Sequence, residues 1–170
     1  MLYTSSGLNK LLKQLNDECE RIKSVEKTVF TFCAAISEKL EDARPEYDYA
    51  SSQAKIKELN SKIRKIKHAL NIFNSTTVVD GFDMTIDEML VYIPQLTNQK
   101  NKLSGMINRP KKIRKEQDRY GSPKSYVEYE YVNYDIEEVT KDFNEVTELL
   151  SKAQLALDSV NNKALIELNI

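Results

Sequence analysis

The stretch at positions 56–73 reads IKELNSKIRKIKHALNIF, and its apolar residues recur in unbroken steps of three and four. Those residues are Ile56, Leu59, Ile63, Ile66, Leu70 and Phe73. This spacing places apolar side chains along one side of an α-helix and is typical of helices that pack through heptad seams. We therefore predict a helix at 52–74, with Ser51 or Ser52 as its N-cap.

Three further segments carry related patterns, and they predict helices at 5–42, 85–108 and 135–162. The first has a heptad seam from Leu8 to Leu40 that only Glu26 interrupts. The second opens with Thr85 and Glu88, which have the spacing of a capping box. Pro94 lies inside it, so we expect either a kink or a separate helix that begins near Gln95.

Four such segments predict a mainly α fold in one domain, 1–170. The helices would form an antiparallel bundle or a long helical hairpin with further helices packed on it, with coiled-coil-like seams. The first helix would be longer than any partner within the chain. Part of its seam would then meet something else, so we expect a homo-oligomer.

The stretch at positions 124–135, KSYVEYEYVNYD, holds four of the nine tyrosines. Apolar and polar residues alternate in it, which predicts a strand within 125–134. A lone strand needs a partner. We expect this partner to be 76–79 of the same chain, or the same strand of a second copy. The candidate interface residues are Tyr120, Tyr126, Tyr129, Tyr131 and Tyr134.

Two segments are strongly basic, 55–67 and 109–119, and together they hold 12 of the 25 lysines and arginines. Clustered cations neutralise phosphates, and nearby tyrosines stack on bases. The candidate nucleic-acid contacts are Lys62, Arg64, Lys65, Lys111, Lys112, Arg114 and Lys115. The favoured alternative is that the acidic first half of the last helix lies against the basic side of the 52–74 helix.

The sequence has no recognisable pattern of an enzyme. His68 is the sole histidine and has no partner at helical spacing, and Cys19 and Cys33 do not have the spacing of a zinc site. Phosphate-binding glycine loops and nucleophile elbows are absent from the sequence. We expect no enzyme activity, no cofactor and no metal.

The chain has a net charge of −1 and no apolar run long enough to cross a membrane, and its N-terminus does not read as a signal peptide. We therefore expect a cytoplasmic bacterial protein without a membrane partner. These observations favour a non-enzymatic oligomerisation or adaptor protein whose protein partner is unknown. The alternative is a nucleic-acid-binding helical protein that uses the basic faces at 55–67 and 109–119.

Four stretches, KIRKIKHALNIFNSTT, DGFDMTIDEMLVYIPQL, DRYGSP and LALDSVN, also carry a family resemblance. From Ala54 onward the chain resembles an uncharacterised family of small bacterial proteins, some members of which are labelled septicolysin. The matching features fall on Asn74, on Asp80-Gly81 with Thr85, and on Arg119-Tyr120. The chain departs from the family pattern after Tyr120. The resemblance implies a small helical protein and assigns no functional residue.

Overall fold

The computed structural model describes residues 1–115 and 126–169 and is mainly helical, as predicted. The helices within these residues are α1 Ser5–Val29, α2 Leu40–Ala43, α3 Tyr49–Thr76, α4 Ile86–Ile107 and α5 Ile136–Lys163. The strands are β1 Leu2–Thr4, β2 Val78–Val79, β3 Met84–Thr85, β4 Lys112–Arg114, β5 Tyr129–Tyr131 and β6 Leu165–Glu167. They form three antiparallel pairs, β1 with β6, β2 with β3, and β4 with β5.

The long helices pack as two antiparallel pairs. α4 packs on α5, and their buried residues form one core with Val79 of β2. α1 packs on α3, since Leu8 lies in one cluster with Leu70 while Glu26 at the other end bonds to Gln53. Phe73 packs against both clusters and so joins them. The seams predicted for α3 and α5 supply their buried positions, namely Ile63, Ile66, Leu70, Val139, Val146, Leu150, Ala153 and Leu157.

The predicted single helix at 5–42 is wrong, because α1 ends at Val29 and only the short α2 follows, at Leu40–Ala43. The β-branched and aromatic run Thr28–Phe32 has low helix propensity. Amphipathic helices also depend on tertiary packing for most of their stability. Among residues 1–115 and 126–169, no long helix covers the continuation of the seam, and Ile36 and Leu40 are exposed. α1 has 25 residues and α3 has 28, so the length argument for self-association does not hold.

Glu26, the polar interruption in the first seam, joins the end of α1 to the start of α3 through hydrogen bonds. Its carboxylate accepts hydrogen bonds from the Tyr47 hydroxyl and from Gln53 Nε2, the latter at 2.6 Å. The bond to Glu26 raises the pKa of Tyr47 to about 12, because the carboxylate favours the protonated phenol. The polar residue that breaks the heptad pattern thus holds the start of α3 against the end of α1.

We expect one tyrosine of the native protein to deprotonate near pH 12. Because the folded pKa lies above the ordinary value of 10, this bond stabilises the fold below about pH 10. The contribution is lost as the pH rises through about 12. A titration followed by absorbance at 295 nm would show this step in the wild type. The step should be missing in Tyr47→Phe and present in the neighbouring control Tyr49→Phe, and its survival in Tyr47→Phe would contradict the assignment.

α4 begins as predicted and stays within the predicted bounds of 85–108. Thr85 Oγ1 accepts from the Glu88 amide at 3.3 Å, and the Glu88 carboxylate accepts from the Thr85 amide at 2.7 Å, so the capping box is confirmed. These bonds lower the pKa of Glu88. The alternative of a separate helix at Gln95 is wrong, because α4 runs through Pro94 without a break. Met89 and Leu96 are buried on either side of the proline, and their packing holds the helix together.

The two chain ends meet in the sheet of β1 and β6. Tyr3 lies opposite Ile166 in this antiparallel pair, and Ile166 is buried in the cluster of Leu8, Ile66 and Leu70. β6 lies beyond the helix predicted at 135–162, where the structure has a strand. The sequence carried no signal for its partner β1.

Candidate functional site: a ribbon of lysines and tyrosines

The tyrosine strand β5 pairs with β4, which belongs to the basic segment 109–119. Residues from two of the predicted candidate sites therefore form one structure. Lys112 lies opposite Tyr131, Ile113 opposite Glu130, and Arg114 opposite Tyr129. Two further backbone hydrogen bonds, from the Lys115 amide to the Glu128 carbonyl and from the Val132 amide to the Lys111 carbonyl, extend the pairing at both ends. We call this two-stranded element the ribbon.

The predicted pairing of the tyrosine strand with 76–79 is wrong. Val78 and Val79 pair instead with Thr85 and Met84 in a short hairpin. Gly81 adopts a positive φ of 83° in its turn, a conformation that glycine reaches without steric cost. Closing so short a loop costs little conformational entropy. The local strand therefore takes the place that the tyrosine strand was predicted to fill.

The ribbon sorts its side chains onto two different faces. Alternate residues of a strand point to opposite sides, and cross-strand partners share a side. One side, which we call the cationic face, carries Lys112, Arg114, Tyr129 and Tyr131. The opposite side, the mixed face, carries Ile113 and Glu130, with Lys111, Lys115 and Glu128 at its flanks. The strand predicted within 125–134 is confirmed over 129–131.

Lysine and tyrosine side chains are in direct contact on the cationic face. Lys112 Nζ lies 3.9 Å from the ring centroid of Tyr129 and 5.5 Å from that of Tyr131. The two ring centroids are 6.4 Å apart, and the ring planes are tilted by 52°. Tyr129 and Tyr131 are nevertheless 43 % and 62 % exposed. Cation–π contacts at such exposed positions are weak, so the rings and the ammonium are readily rearranged.

Glu130 of the tyrosine stretch pairs away from the cationic face. Glu130 lies on the mixed face and forms an ion pair with Arg109. Among the described residues, Lys112 and Arg114 have no carboxylate in ion-pair contact.

The other predicted interface tyrosines have different roles or lie elsewhere. The Tyr134 hydroxyl donates to the Met106 carbonyl at 2.7 Å, and its ring packs against the α4–α5 core. Tyr134 thereby anchors the base of the ribbon to the end of α4. Tyr126 is exposed and precedes β5. Tyr120 lies outside the described residues.

The basic residues of α3 form a surface of their own. Lys62 pairs with Glu58 of the same helix at 2.8 Å, and within the described ranges no ion pair involves Arg64 or Lys65. The proposed charge pairing between α3 and the acidic half of α5 is not formed there. α3 packs mainly on α1 and α4, and no extensive packing joins it to the described strands of the ribbon. The basic residues of α3 and those of the described ribbon do not merge into one patch.

The sequence analysis did not predict β4 within the basic segment 109–119. The alternation in Lys111–Lys115, with the β-branched Ile113 at its centre, was the available signal. It also missed Arg109 as the partner of Glu130, because the two residues are 21 positions apart. Both assignments require the pairing of the two strands.

The other residues considered for chemistry are dispersed. His68 is exposed on α3, and Cys19 and Cys33 are free thiols. Within residues 1–115 and 126–169, no group of three His, Cys, Asp or Glu side chains is placed to hold a metal ion. None of the helices in the described part of the chain has the length and apolar character needed to cross a membrane.

Comparison with solved structures finds a relative in fold. It is the crystal structure of a functionally unknown conserved protein from Corynebacterium diphtheriae, with a TM-score of 0.61. The two proteins share a fold. The match covers 98 % of this chain and 100 % of that one at 15 % sequence identity, so it shows the fold alone. No family model and no curated protein matches the chain significantly, and the resemblance to the septicolysin-labelled family stays a prediction.

Proposed function

We propose that the protein is a non-enzymatic helical adaptor that presents the ribbon to a negatively charged partner. One observation carries the proposal. Two cations and two tyrosines share an exposed face of the ribbon, while both neighbouring glutamates point to the other side. In this proposal the four long helices form an antiparallel bundle with heptad seams, which acts as a rigid support.

The composition of the cationic face favours a binding role over a solvated surface. Tyrosine and arginine are enriched at binding surfaces, because tyrosine buries a large area and arginine forms several hydrogen bonds. The anchor at Tyr134 and the ion pair between Arg109 and Glu130 hold the ribbon on the helical body. A pre-organised surface loses less conformational entropy when a partner binds.

The charge pattern of the ribbon disfavours pairing with a second ribbon. A symmetric contact between two copies of β4 would place Lys112 opposite Arg114, and one between two copies of β5 would place Glu130 opposite Glu130. Like charges directly opposite each other destabilise a strand pair. Lysine on an edge strand also protects against unwanted pairing. The repulsion expected between two ribbons supports a partner of opposite charge rather than a second ribbon.

Affinity capture with three matched baits tests this proposal. We expect the wild type and the α3 control Lys65→Glu/Lys67→Glu to retain a common set of partners from extracts of the native host. The ribbon variant Lys112→Glu/Arg114→Glu, with the same change of charge, should lose that set. An unchanged set on the ribbon variant, with its fold verified by circular dichroism, would contradict the proposal.

Self-association is a second candidate, and a different observation favours it. The segment between α1 and α3 exposes several large apolar side chains, and Ile36 is 109 % exposed relative to its reference state. The others are Phe30, Phe32 and Leu40. Exposed apolar clusters of this kind often mark protein interfaces. The second copy of the chain would bury these side chains at the tip of the α1–α3 pair.

Light scattering at tens of micromolar tests self-association. We expect an oligomer for the wild type and for the exposed control Leu155→Ser, and a monomer for Phe30→Ser/Ile36→Ser. A wild-type monomer at this concentration would contradict the second candidate and would leave the ribbon proposal intact.

We further propose that the protein acts in the bacterial cytoplasm. Its free thiols, Cys19 and Cys33, support a reducing compartment.

A further inference from the structure

We infer that the partner of the ribbon is single-stranded nucleic acid, held by stacking of bases on Tyr129 and Tyr131 and by phosphate contacts of Lys112 and Arg114. This inference rests on the proposed function and adds the class of partner. It uses the described ribbon alone and excludes the separate basic surface of α3.

The spacing of the two rings fits the recognition of neighbouring bases. Tyr129 and Tyr131 are alternate residues of one strand, so both rings project from the same face, with centroids 6.4 Å apart. Aromatic side chains in proteins that bind single strands stack on successive bases in this manner. Such contacts accept any base, because every base has a flat π-face.

Lys112 is placed to exchange its contact with a tyrosine ring for a contact with a phosphate. Its ammonium rests 3.9 Å from the centroid of the Tyr129 ring. A base that stacks on this ring would displace the ammonium, and the flexible lysine stem would allow it to move to the adjacent phosphate. One weak internal contact would be replaced by a stacking contact and a charge contact. Arg114, opposite Tyr129 on the same face, is placed to bind a second phosphate.

The tyrosines distinguish a single strand from other polyanions. In a duplex the base faces are stacked inside, and only base edges and phosphates are accessible. An acidic peptide would use the charges of Lys112 and Arg114 but would offer no flat π-face to both rings. The combination of exposed rings with cations on the same face therefore favours single-stranded nucleic acid over either alternative.

Fluorescence anisotropy with the full chain tests the inference. The labelled probes are a 20-nucleotide dT strand, the corresponding rU strand, a 20-base-pair duplex and a poly-glutamate peptide. We expect the single strands to bind more tightly than the duplex and the peptide. The dT and rU probes show which sugar is preferred. Binding should weaken by about sevenfold as salt rises from 50 to 200 mM, because each of the two phosphate contacts contributes about −0.7 to the slope of log K against log salt.

Matched variants separate stacking from charge. Tyr129→Leu/Tyr131→Leu should weaken binding of the dT strand by about tenfold to a hundredfold for each base that loses its stacking partner, and Tyr129→Phe/Tyr131→Phe should retain it. Lys112→Met should reduce the slope of log K against log salt by about 0.7, and Lys112→Arg should restore it. Lys65→Met, with the same loss of charge on α3, should bind like the wild type.

Each contrary result overturns the inference in an identifiable way. Equal affinity for poly-glutamate and the dT strand, or wild-type affinity of the leucine variant, would show binding by charge alone and would leave the proposed function standing. Tighter binding to the duplex would overturn the single-stranded assignment. If no probe binds, the inference fails, and the three-bait capture decides the proposed function separately. Circular dichroism of each variant verifies that the helical fold is retained.

Discussion

Ile166→Asp is expected to lower the free energy of unfolding by more than about 3 kcal/mol. Ile166 is 8 % exposed, and its side chain packs in the cluster of Leu8, Ile66 and Leu70. An aspartate at this position would be desolvated without an ion partner, and the apolar contacts of the isoleucine would be lost. For a chain of this length the midpoint of thermal unfolding should fall by roughly 6–12 °C or more. Urea unfolding followed by far-ultraviolet circular dichroism measures the change.

Leu165→Asp provides the matched control for this prediction. Leu165 is the preceding residue of β6 and is 60 % exposed on the opposite side of the strand. Both variants carry the same low β-propensity of aspartate, so the difference between them reports burial alone. We expect the control to lose less than about 1 kcal/mol. Equal losses in the two variants would contradict the position of β6 against the α1–α3 pair.

Met89→Ala is expected to lower the free energy of unfolding by about 2–5 kcal/mol. Met89 is fully buried in the core between α4 and α5, where truncation removes apolar contacts and leaves a cavity. Alanine is the best helix former, so the change carries no cost in helix propensity. The loss therefore measures packing between these two helices. The same urea experiment applies.

Leu90→Ala tests the orientation of α4. Leu90 is next along the helix and is 48 % exposed. Leu90 and Met89 are adjacent apolar residues of the helix predicted at 85–108, so hydrophobicity alone does not separate the two. The structure predicts a loss for Leu90→Ala well below that for Met89→Ala. A larger loss at Leu90 would mean that α4 turns a different side toward α5.

Much of the fold could be predicted because its signals are local. The seam of α3 and the seam of α5 have regular steps, and nearly all their buried residues belong to these steps. The capping box depends on two residues three positions apart, Thr85 and Glu88. The strand character of β5 follows from alternation within a few residues. Each of these features depends on backbone geometry that a short stretch determines.

The incorrect predictions involve competition between distant segments. The seam that continues past Val29 is a valid helical pattern, but α1 ends there, and none of the long helices in the described part of the chain packs on its continuation. The strand at 78–79 was predicted to pair with the tyrosines, but a nearer strand, β3, takes its place. Periodicity identifies surfaces that need partners and does not identify the partners.

In the candidate site, too, the local features could be predicted from the sequence and the pairing of distant segments could not. Both the tyrosines and the basic segment 109–119 were identified from the sequence, but as separate sites. The tyrosines were assigned to a protein interface and the basic segment to nucleic-acid contact. Pairing of β4 with β5 brings Lys112 onto the rings of Tyr129 and Tyr131 and sends Glu130 to the other side with Arg109. The merged site could not be predicted, because the register of two strands depends on which residues oppose each other.

The sequence by itself determined where most of the long helices lie, how α4 is capped and that the tyrosine stretch is extended. These properties arise from interactions within a few residues along the chain. Only the tertiary structure decided where α1 ends, that β6 closes on β1, and that cations and tyrosines share one face of the ribbon. These properties depend on contacts between residues far apart in the chain, whose partners are selected by competition for burial and for backbone hydrogen bonds.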